Sequence, residues 1–288
     1  MSQFSFFGLC FRSLRGTVFL VVLIGMVLPV CASHDPIQVG GRATALGYAY
    51  VGVRGDVWSL AYNPAAITGG KGLQTGLYLE QGFLQAELSY GHAAATLPFF
   101  GNQAAGIEIS SFGFKGYREN MAALSYGITV LEKISIGAKF AYTNLNIPGY
   151  GTTGTFLMQV GVHTQLTPQL SLGMSAYNVN RAQFDTQGRQ EVLPTLITAG
   201  LAYQPSDKVL IVVDVQKTEL YPISFRGGIE YQLHRLLYAR VGVSTEPLSF
   251  HGGMGLKWQQ LSIDVAASYT ELLGYTPRLS LQYRFGGE

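Results

Sequence analysis

The chain has 288 residues, of which 48% are hydrophobic and only 12% charged, with a formal net charge of +2. That charged fraction lies far below the ~25% of soluble domains, and the near-balance of charge leaves no basic footprint for nucleic acid. Its two cysteines, Cys10 and Cys31, sit near the start, so the rest offers neither a disulfide framework nor a cysteine metal site.

Residues 1–33 read as a secretory signal. Arg12 and Arg15 form a positive start, residues 17–30 an uncharged apolar run, and Val30-Cys31-Ala32 a small-residue cleavage site, with processing after Ala32. The competing reading is an uncleaved anchor, but the run is shorter than the ~20 residues of a spanning helix. Acylation of Cys31 is weaker still, because Val30 is not the small residue usual at that place. Without Arg12 and Arg15 the basic residues fall to the same number as the 17 acidic ones.

Residues 34–70 are apolar and glycine-rich without sustained alternation. Asn63 can accept from backbone amides and Pro64 suits a first helical position, so Asn63-Pro64-Ala65-Ala66 reads as a capped turn. Gly40, Gly41, Gly47 and Gly52 permit tight or closely packed backbone. No Gly-Lys-Ser/Thr follows, which removes a phosphate-binding reading.

From residue 71 onward about fourteen segments alternate apolar and polar residues between turn signals. Successive strand side chains point to opposite faces. Leu279, Leu281, Tyr283 and Phe285 therefore share one face, expected toward lipid and serving as the terminal-strand assembly signal. Arg278, Ser280, Gln282 and Arg284 share the other. Residues 209–213 are apolar on both phases, as expected for a strand whose inner face packs on a plug. Short turns fall at 132–133, 167–168, 205–207, 234–235 and 259–260, and longer loops at 148–153, 181–192 and 274–277. Tyr50, Tyr90, Tyr126, Tyr142, Trp258, Tyr269 and Tyr283 are candidates for interfacial aromatic girdles.

Charges recur on the inner phase, which no soluble core would present. Glu108, Lys139, Arg226 and Glu230, with Arg240, Lys257, Asp264 and Arg284, are expected to line a lumen, where such groups tune entry. No apolar run after residue 33 reaches helix-spanning length, so the expected fold is all-β, a transmembrane antiparallel barrel of about fourteen strands. Twelve or sixteen strands remain open, and a periplasmic β-sandwich is the rival architecture. A ring wider than ~8 strands leaves unfilled space, which assigns residues 34–70 to a luminal hatch and 71–288 to the barrel.

The stretch Gly40-Gly41-Arg42-Ala43-Thr44-Ala45-Leu46-Gly47, followed by Asn63-Pro64-Ala65, resembles the start of FadL-like outer-membrane barrels, especially the PorV/PorQ group. The likeness is sharp only over these N-terminal residues. It implies a fourteen-stranded barrel in the outer membrane of a Gram-negative-type bacterium, with Gly41, Arg42, Gly47, Asn63, Pro64 and Ala65 in a hatch inside it. The partners implied are outer-membrane lipid and the barrel-assembly machinery.

The resemblance supplies two functions. One is an accessory or anchoring role in type IX protein secretion, with secretion proteins as partners. The alternative is a passive channel for hydrophobic small molecules. Short connections, leaving little room for an external binding cap, favour the first. His34, His92, His163, His234 and His251 lie in no Gly-x-Ser-x-Gly or His-Glu-x-x-His context, so the chain reads as a non-enzyme without catalytic residues, metal or cofactor.

Overall fold

The computed structural model describes residues 38–186, 189–219, 221–271 and 274–286. The signal expected over residues 1–33 and the first part of the 34–70 segment lie outside the described residues. Strands follow from residue 74: β1 (Gln74–Gln81), β2 (Ser89–Phe99), β3 (Gln103–Phe114), β4 (Tyr117–Leu131), β5 (Ile134–Ile147), β6 (Gly151–Thr167) and β7 (Leu170–Tyr177). Then come β8 (Gln183–Thr186), β9 (Arg189–Val192), β10 (Leu196–Ser206), β11 (Val209–Thr218) and β12 (Ser224–His234). The last are β13 (Leu237–Thr245), β14 (Leu248–Trp258), β15 (Leu261–Thr270) and β16 (Gly274–Arg284).

Fourteen of these close into one antiparallel barrel, with β7 paired to β10 and β16 paired back onto β1 from Gln74↔Arg284 to Glu80↔Arg278. Strands β8 and β9 pair only with each other, so the twelve- and sixteen-strand alternatives fall away. Closure leaves no sheet edge, which is what permits a β structure to stand in hydrocarbon.

The alternation sorts the side chains. Leu77, Leu79, Leu279, Leu281, Tyr283 and Phe285 are exposed on the outside, whereas Tyr78, Arg278, Ser280 and Gln282 are buried inside. Ile107, Phe140, Val241 and Val265 continue the exposed apolar belt around the ring. A belt of that extent far exceeds the apolar patches of soluble monomers, and lipid is the solvent that suits it.

At one end the strands are joined by connections of two or three residues, while β1–β2, β7–β10 and β11–β12 carry the longest connections at the other. In outer-membrane barrels the longer loops face outward from the cell.

Three sequence expectations are corrected. Residues 181–192 hold the β8–β9 hairpin, and its Phe184, 1% exposed, packs with Ala141, Leu145 and Leu157 on the inner face of the tall β4–β6 wall. Two four-residue strands with few apolar residues are too short to register as alternation. Residues 274–277 belong to β16, since Tyr275 and Pro277 extend the outward phase of Leu279 and Leu281. Tyr50 and Tyr90 are no girdle residues: both are buried in the interior cluster with Tyr78 and Trp58. Tyr126, Tyr142, Trp258, Tyr269 and Tyr283 are exposed.

Candidate functional site

Residues 39–67 are almost wholly buried, and they touch inward faces all round the ring, from Gly76 of β1 through Gly137 of β5 and Gly173 of β7 to Gly253 of β14. A one-turn helix, α1 (Gly41–Ala45), opens this interior segment. It stops in a Schellman cap: Tyr48 N–H donates to Ala43 O at 2.9 Å and Gly47 N–H to Thr44 O at 3.0 Å. Gly47 takes the left-handed conformation the cap needs, φ +68°, and a Cβ there would meet Val243 O at 2.6 Å. A second turn, α2 (Ser59–Tyr62), leads to Asn63, which caps a 3-10 helix over Pro64–Gly69.

Asn63 is fully buried and uses both ends of its amide. Oδ1 accepts from Ala65 N–H at 3.1 Å, while Nδ2 donates to Val51 O at 3.1 Å and Val162 O at 3.0 Å. One side chain thus ties two turns of the segment to strand β6. Val57, Trp58, Leu60 and Ile67 of the segment pack with Tyr78, Tyr90, Leu210 and Val212 of the wall. Here the inner apolar phase of 209–213 finds its partner.

Arg42 forms the centre of the largest charge cluster. Its Nε and Nη2 donate to the two oxygens of Glu230 at 2.8 and 2.7 Å, and Nη1 donates to Asp56 Oδ2 at 3.2 Å. Burial alone would draw that charge down, but Glu230, Tyr50 and Asp56 together more than offset it, and the guanidinium holds its proton more firmly than an ordinary arginine. Arg240, across the β12–β13 pair from Glu230, donates to the same carboxylate at 2.5 Å and to Asp264 Oδ1 at 2.6 Å. Gly41 N–H donates to Ser280 Oγ beside Asp264.

The remaining inner charges do not join this cluster. Lys139 Nζ lies 2.7 Å from Glu108 Oε2, with His92 at 3.5 Å from the other oxygen, on the β2–β5 side. Lys257 is exposed beside the β14–β15 turn, and Arg284 pairs in register with Gln74 at the foot of the barrel. Arg226 lines the opposite, loop-end cavity. Sequence reasoning missed Asp56, Glu80 and Asp214 as partners. Asp214 Oδ2 accepts the Tyr50 and Val51 amides at 2.8 and 3.0 Å, and Glu80 accepts from Arg278 Nε at 2.9 Å. Only the inward phase of Arg278 and Asp214 signals them; register sets Glu80 opposite Arg278, and the path of the interior segment brings the Tyr50 and Val51 amides to Asp214.

Above the interior segment, at the loop end, lies a cavity of about 670 Å³. The β1–β2 connection folds over it, with Phe83 N–H donating to Thr276 Oγ1 at 3.2 Å. A smaller space of about 60 Å³ shares Tyr48, Leu196 and Arg226 with it and reaches down to Val51 and Tyr62 of the segment. Short loops therefore did not preclude a covered pocket, because the strand ends and one folded connection build it.

No family model and no curated protein matches the sequence. Solved structures do. A FadL homologue from Pseudomonas aeruginosa aligns with a TM-score of 0.66 at 12% identity, over 87% of this chain and 99% of that one. The toluene transporter TbuX of Ralstonia pickettii gives 0.64 at 15% identity, over 86% and 98%. The CymD monoaromatic hydrocarbon channel gives 0.64 at 14%, over 88% and 99%. At such identities the likeness is one of fold: the chain has the FadL-like outer-membrane barrel fold. These neighbours do not single out the PorV/PorQ group within that fold.

Proposed function

We propose that this chain is an outer-membrane channel that receives apolar small molecules in the loop-end cavity, with the interior segment as a luminal plug beneath it. The observation that carries the reading is the cavity itself, roofed by Phe83 and floored by Tyr48 of the segment. Two of the solved neighbours, a monoaromatic hydrocarbon channel and a toluene transporter, support it. They lend no support to the secretion-linked role, which the alternative now displaces, and they favour a non-enzyme.

The test is equilibrium binding of p-xylene to the detergent-purified chain. Saturable binding that is lost in Ser249→Trp, a substitution that fills the cavity wall, is the expected result. Absence of saturable binding, or binding unchanged in that variant, would remove the cavity from the function.

A further inference from the structure

Four cations outside the luminal pairs gather in one sector of the turn end. Arg235 lies in the β12–β13 turn, Lys257 just before the β14–β15 turn, Arg284 at the end of β16 and Lys71 just before β1. Strands β12 to β16 follow one another around the ring, and β16 pairs with β1. Their ends abut: Lys257 N–H donates to Leu236 O at 2.8 Å, Arg284 N–H to Gln260 O at 3.0 Å and Phe285 N–H to Leu73 O at 2.7 Å. Lys71, Arg235 and Lys257 are exposed and Arg284 is half-buried. None of the four joins an ion pair among the described residues, and no exposed acid among them lies on these strand ends. The β4–β5 and β10–β11 turns differ, since Glu132 precedes Lys133 and Asp207 precedes Lys208.

An arc of unpaired cations repels itself and draws an anion. The surroundings narrow its chemistry. Leu256, Trp258 and Phe285, each next in sequence to one of these cations, are exposed on the outer face, so the apolar belt runs up to the arc. An indole, apolar with one N–H, suits the boundary between hydrocarbon and water. A soluble acidic partner would use the cations and leave the adjoining apolar residues uncovered. A phospholipid uses both: its acyl chain lies along the belt, and its phosphate accepts the paired N–H groups of a guanidinium. A zwitterionic headgroup brings its own cation, whereas an anionic one leaves its charge for the arc.

We infer that the turn-end rim from β12 to β1 holds anionic phospholipid, with the headgroup phosphate at Arg235 and an acyl chain against Leu256 and Trp258. Lys257, Arg284 and Lys71 add to the attracting field. The inference concerns the outer rim and is independent of what the loop-end cavity receives.

The test uses the chain's own reporter. Of its two tryptophans, Trp258 is exposed at this rim, while Trp58 is buried in the interior and gives a common background. The full chain is refolded into mixed vesicles of phosphatidylcholine and phosphatidylglycerol, with one or the other lipid carrying brominated acyl chains, and the quenching of tryptophan fluorescence is compared. We expect phosphatidylglycerol to be preferred beside Trp258 by about fivefold, the effect of one basic residue near an anionic headgroup. The preference should approach unity in Arg235→Gln with Lys257→Gln, and also at ~1 M salt, where charges are screened within ~3 Å. Arg235→Gln alone, a change at an exposed turn residue, carries the test if the double variant misfolds. Lys133→Gln removes the same charge from a distant turn and should leave the preference unchanged. Equal quenching by the two lipids in the parent overturns the inference and leaves the arc to a soluble acidic partner. A loss of preference as large in Lys133→Gln as in Arg235→Gln also overturns it, because net charge rather than this arc would then set the preference.

Discussion

The carbonyl of Val51 occupies the place where a side chain on Gly173 would begin; a Cβ there would overlap that oxygen. The same relation recurs around the ring. A Cβ on Gly76 would meet Trp58 at 2.8 Å, on Gly106 Leu60 at 2.7 Å, on Gly137 Ala65 N at 2.5 Å and on Gly228 Leu46 Cα at 2.6 Å. Inward glycines on several strands thus form the seat of the interior segment, and wall and segment are fitted at backbone distance.

Substitution of that seat should therefore act as overpacking against backbone, which costs ~1–3 kcal/mol per site. Gly173→Ala and Gly242→Ala are expected to lower the folded, heat-modifiable fraction on unheated gels and to lower the unfolding temperature in detergent. Gly91→Ala on the outer face, where the nearest atom is Leu79 Cδ2 at 3.9 Å, is the control and should change neither. Equal behaviour of all three would mean that the segment yields freely, and that the seat is not tight.

Much of this was legible in the chain, and the part that was not has a physical reason. Alternation such as Phe225–Leu233 against Arg226–Gln232 sets which side chains face lipid, because its period is two and tolerates no ambiguity of face. Gly228 and Gly242 fall on the inner phase, and a glycine within a strand signals close backbone approach. What approaches cannot be read, since Leu46 lies far away in sequence. The Arg42–Glu230 pair spans 188 residues and depends on the path of the segment as well as on strand register. Tyr90 illustrates the limit: an aromatic near a strand end suits a membrane interface, yet it sits on the phase of Tyr78 and turns inward.

Charge counting around Arg42 gives a second expectation. Arg42→Met leaves Asp56, Glu230 and Asp264 with Arg240 alone, whereas Glu230→Gln leaves two arginines and two aspartates. Removing one partner of a buried pair costs ~3–5 kcal/mol. Arg42→Met should thus destabilise the protein more than Glu230→Gln, and adding Glu230→Gln to it should restore part of the loss. Strictly additive effects in a double-mutant cycle by thermal unfolding would show that the cluster is not coupled.

Depth in the bilayer gives a third. Leu279 lies mid-strand on the outer face of β16, while Phe285 lies just past its end. An arginine costs ~2–4 kcal/mol at the membrane midplane and ~0–1 near the interface. Leu279→Arg is expected to impair folding into lipid vesicles severely and Phe285→Arg only slightly. Equal losses would contradict a hydrocarbon belt centred on Leu279.

Asn63 gives the sharpest probe of how the segment is held, because its two amide ends do different things. Asn63→Ala removes the cap on Ala65 N–H, a loss of ~0.5–2 kcal/mol, and also the two donations to Val51 O and Val162 O. Asn63→Asp keeps an acceptor for the cap yet turns the donating end into an anion facing two carbonyls in a site with no exposure. Buried acceptors left unpaired cost ~1–3 kcal/mol, and an uncompensated charge costs more. The isosteric aspartate should therefore be the more damaging change, loosening the turn that ties Val51 and Pro64 to β6. In planar bilayers both variants should raise single-channel conductance and noise over the parent, with Asn63→Asp ahead of Asn63→Ala. The reverse order would mean that the cap, rather than the paired donations, holds the segment in place.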